Sequence, residues 1–327
     1  MNSGQISTIV RYHLDQHGLG LLQQALASLA GQEYPDCQTV VVVQNGSQQT
    51  VDAVMQILAA LYPEADRTED ERGQIALGPH KLVRVTVPPG EDARAALLNH
   101  GLEQADGRYV AFLDYDDIIY PEAYRLLIDT LEKTTDAIAV GGANYALMRR
   151  AEDGFETYRT IPFLPYRKGL PDLCHKNFIP IHTYVIDRSR VNPRLLRFDE
   201  SFSRAEDYIF LLGLAGEHTF NFTHLMAPVA EYRMRDDCSN THPHPWLEQA
   251  GSDKADEWNS QIGRIHAMKS AMYARVNVQE LSDLLNEISF LRTLQRSSRL
   301  VDYSLKALRL AYRAYQQISR SIAAIFR

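Results

Sequence analysis

Three aspartates lie at the end of an apolar stretch and just after it. The stretch RYVAFLD ends at Asp114, and Asp116 and Asp117 follow after Tyr115. Burying an unpaired carboxylate is costly, so three acids at the end of a buried strand are expected to face solvent, hydrogen-bond donors or a cation in a cleft. The alternative is that these acids cap the next helix. It fits Asp117 best, because Pro121 suits a first helical turn.

The spacing of Asp114 and Asp116 predicts a site for a divalent cation. Two acids separated by one residue present carboxylate oxygens to a hard cation such as Mn²⁺ or Mg²⁺ and leave coordination positions for phosphate oxygens. A cation that bridges a diphosphate neutralises charge as the leaving group departs, so the pattern suits transfer from a nucleotide-activated donor. We call residues 114–117 the acidic turn.

A second acidic pair, Glu206 and Asp207, lies in the stretch RFDESFSRAEDYIFLLGLA. A transfer with inversion needs a carboxylate beside the acceptor hydroxyl, opposite the leaving diphosphate, to take its proton. We predict that Asp207 rather than Glu206 is this base. The alternative is that both acids only stabilise the first turn of a helix, where the helix dipole favours negative charge.

The composition limits which partners these acids serve. The 327 residues are 45% hydrophobic and 23% charged, which is enough for one large domain or for one domain with an appendage. A formal net charge of -7 argues against nucleic acid as a partner. Three scattered cysteines favour a reducing compartment. Without a leader pattern or a membrane-length apolar run, we expect a cytoplasmic protein.

Strand-like and helix-like stretches alternate along the first half of the chain. Strands are predicted at 6–12, 39–43, 82–87, 108–113 and 137–141, and helices at 19–30, 51–61 and 92–104. This order predicts an α/β fold with a mostly parallel central sheet flanked by helices. The stretch 63–74, with five acids and two arginines, is predicted to be a solvated loop.

Ligands of such sheets bind outside the carboxyl ends of the strands. The acidic turn follows one strand, and the stretch QNGS, with Gln44 and Asn45, follows another. We therefore expect these two loops to line one cleft.

Four ordered motifs in the first 145 residues resemble the family 2 glycosyltransferases of the GT-A fold. They are VRYH at 10–13, VVVQNGS at 41–47, ARAALLNHG at 93–101 and YVAFLDYDD at 109–117. The acidic pair of Glu206 and Asp207 matches the place of the family's catalytic base. The resemblance implies an inverting, nucleotide-sugar-dependent glycosyltransferase with a Mn²⁺ or Mg²⁺ cofactor. Its acceptor would be a saccharide or a lipid-linked glycan in cell-surface polysaccharide or glycan synthesis.

The resemblance also implies roles for residues that bind the nucleotide sugar. Tyr12 would stack near the base, Gln44 and Asn45 would face its polar edge, and Arg94 would reach the ribose or the phosphates. In the acidic turn, Asp114 and Asp116 would hold ribose and metal, with Tyr115 between them.

Further along the chain, the segment 232–235 resembles one that closes over the diphosphate in the family. Arg233 and Arg235 would stabilise the departing negative charge there. Arg235 stands where some relatives have a histidine that contacts the metal, so the third metal ligand is undefined. Within α/β packing, Asn99 and Gly101 are expected to let a helix approach a strand closely. His182 is expected either to line the acceptor site or to be a buried, paired histidine.

One departure from the family pattern leaves alternative functions open. Where the family has DDGS, this chain has Gln44 and Asn45, whose amides both donate and accept hydrogen bonds, so the base preference is undetermined. A catalytically impaired homologue that only binds nucleotide sugars is one alternative. A haloacid-dehalogenase-like phosphohydrolase is another. It is less favoured because the aspartates of those enzymes come near the start of the chain.

We predict a catalytic domain at 1–245 and a helical C-terminal extension at 246–327. The catalytic domain would have a nucleotide-binding half (1–145) and an acceptor-binding half (146–245). In the stretch 301–327, apolar residues recur at helical spacing beside a face of lysine and arginine. This pattern predicts either peripheral contact with the inner face of the plasma membrane or packing on protein, including self-association.

Overall fold

The computed structural model describes residues 2–13, 18–69, 75–88, 91, 93–152, 154–165, 168–236, 252–273, 278–279, 281–282 and 285–286. The chain divides into two compact units, Met1–Arg275 and Val276–Arg327. In the second unit the described residues are helical. The predicted apolar and basic stripe at 301–327 lies outside the described residues.

A single sheet forms the centre of the first unit. Its strand order is β3-β4-β5-β2-β1-β6-β10-β8-β11-β7, and β9 pairs with β8. The strands are β1 (Asn2–His13), β2 (Cys37–Gln44), β3 (Arg67–Glu69), β4 (Ile75–Leu77), β5 (His80–Val85), β6 (Gly107–Asp114), β7 (Ile118–Ile119), β8 (Ile138–Ala151), β9 (Gly154–Phe163), β10 (Tyr184–Asp187) and β11 (Phe220–Arg235). The α-helices are α1 (Gly18–Ala30), α2 (Gln48–Leu61), α3 (Arg94–Gln104), α4 (Ala123–Lys133), α5 (Leu170–His175), α6 (Glu206–Ala215) and α7 (Ser252–Ala271).

The predicted α/β alternation is confirmed in the first half of the chain, where β5, β2, β1 and β6 pair in parallel. The sheet as a whole is mixed rather than mostly parallel. β10 lies between β6 and β8 and runs antiparallel to both. β8 also pairs antiparallel with β9. Only two residues separate these strands in the sequence, and parallel neighbours need a longer crossover.

The stretch predicted to be a solvated loop at 63–74 contains a strand. Residues Arg67–Glu69 form β3, which pairs antiparallel with β4 at the edge of the sheet. All three β3 residues are exposed, as the acidic composition predicts. A short, charged edge strand fits this position because it discourages pairing with other chains.

Side chains alternate between the two faces of the sheet. Ile9 of β1 and Phe112 of β6 belong to the core layer formed with α3 and α6. Their neighbours Val10 and Leu113 belong to the opposite layer, formed with α1, α2 and α4. Because this period is two, the polar residues at the ends of β1 and β6 are also divided between the faces.

Helix α3 packs closely on β1, as predicted from Asn99 and Gly101. A Cβ atom on Gly101 would overlap the side chain of Ile9. The buried Asn99 amide donates to the Phe198 carbonyl at 3.0 Å and accepts from the Phe198 N–H at 2.8 Å. Through Asn99, α3 therefore holds the segment that leads to α6.

Helix α7 belongs to the first unit. Ile265 is buried in the core, and Arg264 donates to the Ser201 carbonyl at 2.7 Å. The structure thus divides at Arg275, whereas the predicted domain division at 245 falls before α7. Among the residues that the structure describes, no helix combines the length and the apolar character that crossing a membrane requires.

Candidate active site

The acidic turn and the start of α6 meet on one face of the sheet. β1 and β6 are parallel neighbours, and their register pairs Arg11 with Asp114. Both residues continue the face occupied by Ile9 and Phe112. α6 covers this face, with Phe210 packed against Phe112 at 5.8 Å between ring centroids. Glu206 and Asp207 at the start of α6 are thereby brought to the ends of these strands.

Arg11 joins the two acidic groups. Its Nε and Nη2 bind the two carboxylate oxygens of Asp114, the second at 2.9 Å, and its Nη1 donates to Glu206 Oε1 at 2.6 Å. We call these three contacts the Arg11 fork. Arg11 is 8% exposed and Glu206 only 3%. Burial opposes ionisation of Asp114, but the Arg11 guanidinium outweighs it and lowers the Asp114 pKa.

Sequence reasoning did not single out Arg11, although it lies inside the quoted motif VRYH. The available signal was a cation that directly follows the apolar pair Ile9 and Val10 near the end of a predicted strand, one residue before Tyr12. A buried arginine needs carboxylate partners, and the sequence contains many candidates. Its partners are 103 and 195 positions away, so spacing alone does not identify them.

Asp116 is the acid of the turn that is least neutralised. Arg235 Nη2 lies 3.3 Å from its Oδ2. Burial, followed by the charges of Asp117 and Asp114, raises the pKa of Asp116 to about 7, and Arg235 only partly offsets them. A positive charge bound close to Asp116 would therefore be favourable.

The oxygen set of the acidic turn fits a hard divalent cation. One carboxylate oxygen each from Asp114, Asp116 and Asp117 lies within 4.8 Å of the others. Such all-oxygen sets suit Mg²⁺ and Mn²⁺. Asp114 is engaged by the Arg11 fork and Asp117 by protein donors, so Asp116 would be the principal ligand and Asp114 the second.

Asp117 does not cap the following helix. Its Oδ1 accepts from the Arg233 N–H at 2.7 Å, and its Oδ2 lies 3.0 Å from His182 Nδ1. The N-cap of α4 is Glu122, because β7 intervenes between the acidic turn and that helix. His182 is thus a buried histidine paired with an acid. Burial lowers its pKa, but the charge of Asp117 outweighs this effect and raises it.

Asp207 has a partner different from that of Glu206. Asn177 Nδ2 donates to Asp207 Oδ2 at 3.1 Å, and the Tyr208 backbone N–H also hydrogen-bonds to this carboxylate. Burial and then the charge of Glu206 raise the pKa of Asp207 to about 6. A carboxyl with a raised pKa that stays ionised near neutral pH is suited to accept a proton.

The backbone at the start of α6 is strained. Ala205, the N-cap, has a φ of 59°, and no side chain caps the helix. Asn45, after β2, is the other described non-glycine residue with a positive φ, at 51°. Such conformations concentrate at functional sites. Asn45 is one of the residues that the sequence assigned to the site, and Ala205 directly precedes another, Glu206.

The residues predicted to bind the nucleotide differ in their burial and in the contacts that they make. Tyr12 is 1% exposed and contacts Tyr115 edge-on at 5.3 Å between centroids, in the layer opposite the Arg11 fork. Gln44 is half-buried and Asn45 exposed; Asn45 Oδ1 accepts from the Val87 N–H at 2.8 Å. The Arg94 guanidinium donates to the Ser203 carbonyl, which ties α3 to the loop before α6.

The two predicted arginines of β11 have different partners. Arg235 joins the acidic turn through Asp116 and lies over the Phe155 ring at 5.6 Å. Arg233 Nη1 donates to Gln24 of α1 at 2.8 Å, and its Nε lies 3.7 Å from Glu231. Of the two, Arg235 is therefore the cation that the structure brings to Asp116.

The model of the family "Glycosyl transferase family 2" matches residues 18–193, more than half of the chain. The chain belongs to this family. The matched region contains Gln44, Asn45, Arg94 and the acidic turn, whereas Arg11 precedes it and Asp207 follows it. Family membership overturns the phosphohydrolase alternative.

One curated relative is the succinoglycan biosynthesis protein ExoO of Rhizobium meliloti (strain 1021). It is 25% identical over 191 residues, which are 54% of this chain and 55% of ExoO. The chain therefore matches about half the length of this relative.

Two solved structures show the fold. The mannosyltransferase PcManGT from Pyrobaculum calidifontis, in complex with GDP-Man and Mn²⁺, has a TM-score of 0.55 at 14% identity, covering 96% of this chain and 84% of its own. S. aureus TarS 1-349, in complex with UDP-GlcNAc, has a TM-score of 0.53 at 17% identity, covering 92% and 76%. These likenesses confirm the predicted GT-A fold.

Proposed function

We propose that this chain is an inverting glycosyltransferase that moves a sugar from a nucleotide-diphosphate donor to a saccharide or lipid-linked acceptor. One observation carries the proposal: the turn of three acids and the start of α6, which contains Asp207 with its pKa of about 6, meet on the same sheet face, where Arg11 links Asp114 to Glu206. Family membership and the bound nucleotide sugars of TarS and PcManGT support it. The name of ExoO supports a role in polysaccharide synthesis.

In this mechanism, Asp207 takes the proton of the acceptor hydroxyl as that oxygen bonds to the anomeric carbon. The bond from the anomeric carbon to the diphosphate breaks with inversion, and the nucleoside diphosphate leaves. A Mn²⁺ or Mg²⁺ ion held by Asp116 and Asp114 would supply charge neutralisation at the diphosphate. Arg235, next to Asp116, places a permanent cation at the same end of the site.

We assign Glu206 a supporting role and not the role of the base. Its carboxylate is held by Arg11 at 2.6 Å and is almost fully buried, so it is not available to take a proton from the acceptor. Its negative charge raises the pKa of its neighbour Asp207. We therefore keep Asp207 as the proposed base.

For the nucleotide, we propose the loops around Gln44, Asn45 and the acidic turn, with Tyr12, Tyr115, Arg94 and Arg233 nearby. Asn45 Oδ1 is already occupied by the Val87 N–H, so its amide would present N–H donors to a base carbonyl. A cytoplasmic location, and membrane contact or self-association through 301–327, remain proposals from the sequence.

The test is donor hydrolysis with Mn²⁺ and either UDP-GlcNAc or GDP-mannose, in the wild type and in Asp116→Ala and Asp207→Asn. We expect turnover of at least one donor by the wild type and its loss in both variants. Tight binding of donor and Mn²⁺ without turnover, with or without added saccharide acceptors, would favour the catalytically impaired binding homologue. No binding of any nucleotide or nucleotide sugar would refute the proposal.

A further inference from the structure

Arg11 lies where three chain segments that are distant in sequence converge. Its guanidinium contacts Asp114 at the end of β6 through two nitrogens and Glu206 at the start of α6 through the third. The Arg11 side chain is 10% exposed and that of Glu206 is 4% exposed. The pair with Glu206 is buried, and the pair with Asp114 is part-buried and bidentate, so both restrict their partners more than exposed pairs do.

The start of α6 has little local support of its own. Ala205 is held in a left-handed conformation, and no side-chain cap stabilises the first turn. The preceding loop is tied to α3 by Arg94, which donates to the Ser203 carbonyl. Within α6 itself, the contact of Glu206 with Arg11 is the ion pair that fixes its first residue to the sheet.

We propose that Arg11 is a positioning residue of the transfer reaction: the Arg11 fork sets the separation between Asp207 and the acidic turn. This inference rests on the proposed function, because it concerns the distance between the group that takes the proton and the groups that face the diphosphate. Arg11 itself touches neither reacting atom. It acts through Asp114 on one side and Glu206 on the other.

The planar fork is essential to this role. Arginine presents several N–H donors in fixed directions, whereas the lysine ammonium is a point charge that fits one carboxylate at a time. Arg11→Lys keeps the charge but cannot bridge Asp114 and Glu206 in the same geometry. A purely electrostatic role would be rescued by lysine, and a positioning role would not.

The chain contains a matched control at the other end of β6. Arg108 also binds one acid through two nitrogens and a second acid through the third. It donates to Asp187 at 3.1 and 2.7 Å and lies 2.9 Å from Glu132. Asp187 is fully buried, as Glu206 nearly is. Arg108 thus resembles Arg11 in chemistry but lies away from the candidate active site.

The experiment compares Arg11→Met, Arg11→Lys and Arg108→Met in donor hydrolysis with UDP-GlcNAc or GDP-mannose and Mn²⁺. We expect Arg11→Met to lower kcat about a hundredfold, because small displacements of reacting groups have effects of this size, with KM changed less than about threefold. Arg11→Lys should recover less than about a tenth of the lost activity. Arg108→Met should lower the Tm but keep kcat within about threefold of the wild type.

Hydrogen exchange provides a readout that does not depend on turnover. Amides of residues 203–210 should exchange faster in Arg11→Met and be unchanged in Arg108→Met, because only the first change releases α6. Unchanged exchange in this segment would overturn the proposal, as would a kcat close to the wild-type value. Equal losses of kcat in Arg11→Met and Arg108→Met at equal loss of Tm would also overturn it.

A second variant covers the case in which Arg11→Met does not fold. Glu206→Gln breaks one arm of the fork and leaves the contact of Arg11 with Asp114. It should lower kcat about tenfold and speed exchange at 203–210, and wild-type values of both would overturn the proposal. If the wild type neither binds nor hydrolyses any donor, the proposed function fails instead. Exchange then still decides whether Arg11 fixes α6.

Discussion

The acidic turn and the start of α6 each contain one acid that Arg11 binds and at least one that it does not. In the turn, Asp114 is bound by the fork, while Asp116 is crowded by two acids and has a pKa raised to about 7. In α6, Glu206 is bound, while Asp207 is hydrogen-bonded to the neutral Asn177 amide and has a pKa raised to about 6.

Asp116 and Asp207 have different surroundings, which suit them to different chemistry. Asp116 is raised by burial and by Asp117 and Asp114, whose oxygens together form a set for a divalent ion. Asp207 is raised by burial and by a single neighbour, Glu206, which Arg11 already holds. Several clustered acids suit a cation, and one lightly hydrogen-bonded acid suits proton transfer.

The largest effect is expected when the proposed base, Asp207, is replaced. Asp207→Asn should lower kcat about a thousandfold, because general base catalysis contributes effects of this order, and leave the affinity for nucleoside diphosphate and Mn²⁺ unchanged. Steady-state kinetics with a hydrolysed donor and titration calorimetry with UDP or GDP measure the two quantities. Loss of nucleotide affinity in this variant would place Asp207 in the donor site instead.

The reciprocal change is Asp116→Ala. It should remove the thermal stabilisation that Mn²⁺ and nucleoside diphosphate give together and lower kcat about a hundredfold, since a group that stabilises developing charge is lost. Thermal unfolding with and without Mn²⁺ measures the first effect. Asp52→Ala, an exposed change in α2, is the control. If Asp116→Ala retains the Mn²⁺-dependent shift, the ion is held elsewhere.

The two acids should also titrate separately. At saturating Mn²⁺, kcat/KM should fall about tenfold per unit below about pH 6, because protonated Asp207 cannot accept the acceptor's proton. Affinity for Mn²⁺ should rise with pH through about 7, because Asp116 must lose its proton to bind the ion. Rate profiles and Mn²⁺ titrations test these midpoints. Two coincident midpoints would mean that one group controls both events.

The smallest expected effect concerns the backbone at α6. Ala205→Gly should raise the free energy of unfolding by about 0.5–1 kcal/mol, because glycine adopts a φ of 59° without a Cβ penalty. Ala59→Gly, at an exposed position inside α2, should lower it by about 1 kcal/mol. Urea unfolding measures both. A destabilised Ala205→Gly would show that the alanine methyl group contributes contacts that outweigh the strain.

Local patterns predicted the elements that depend on local sequence. The continuous apolar runs at β2 and β6 identify buried strands, and the acids after β6 identify the site end of the sheet. The position of β10 between β6 and β8 was not predictable in this way. Only four residues long, it is placed by pairing with strands distant in the chain.

The same limit applies to the candidate site. Asp116 and Asp207 are recognisable because acids next to apolar stretches are unusual, and the resemblance places them. The Arg11 fork and the contact of Asn177 with Asp207 are long-range contacts, which depend on strand register and helix packing. Asp117 could not be distinguished from a helix cap, because its partners, His182 and the Arg233 N–H, are supplied by other segments.

The alternation of side chains along β1 limits which sequence changes this chain can accept during evolution. Arg11 and Tyr12 are consecutive residues but belong to opposite faces of the sheet. Inserting or deleting one residue earlier in the strand would exchange them, moving a guanidinium into the layer of α1 and a phenol ring onto the acids. A one-residue change in the length of β1 is therefore expected to be more damaging than a single substitution at either position.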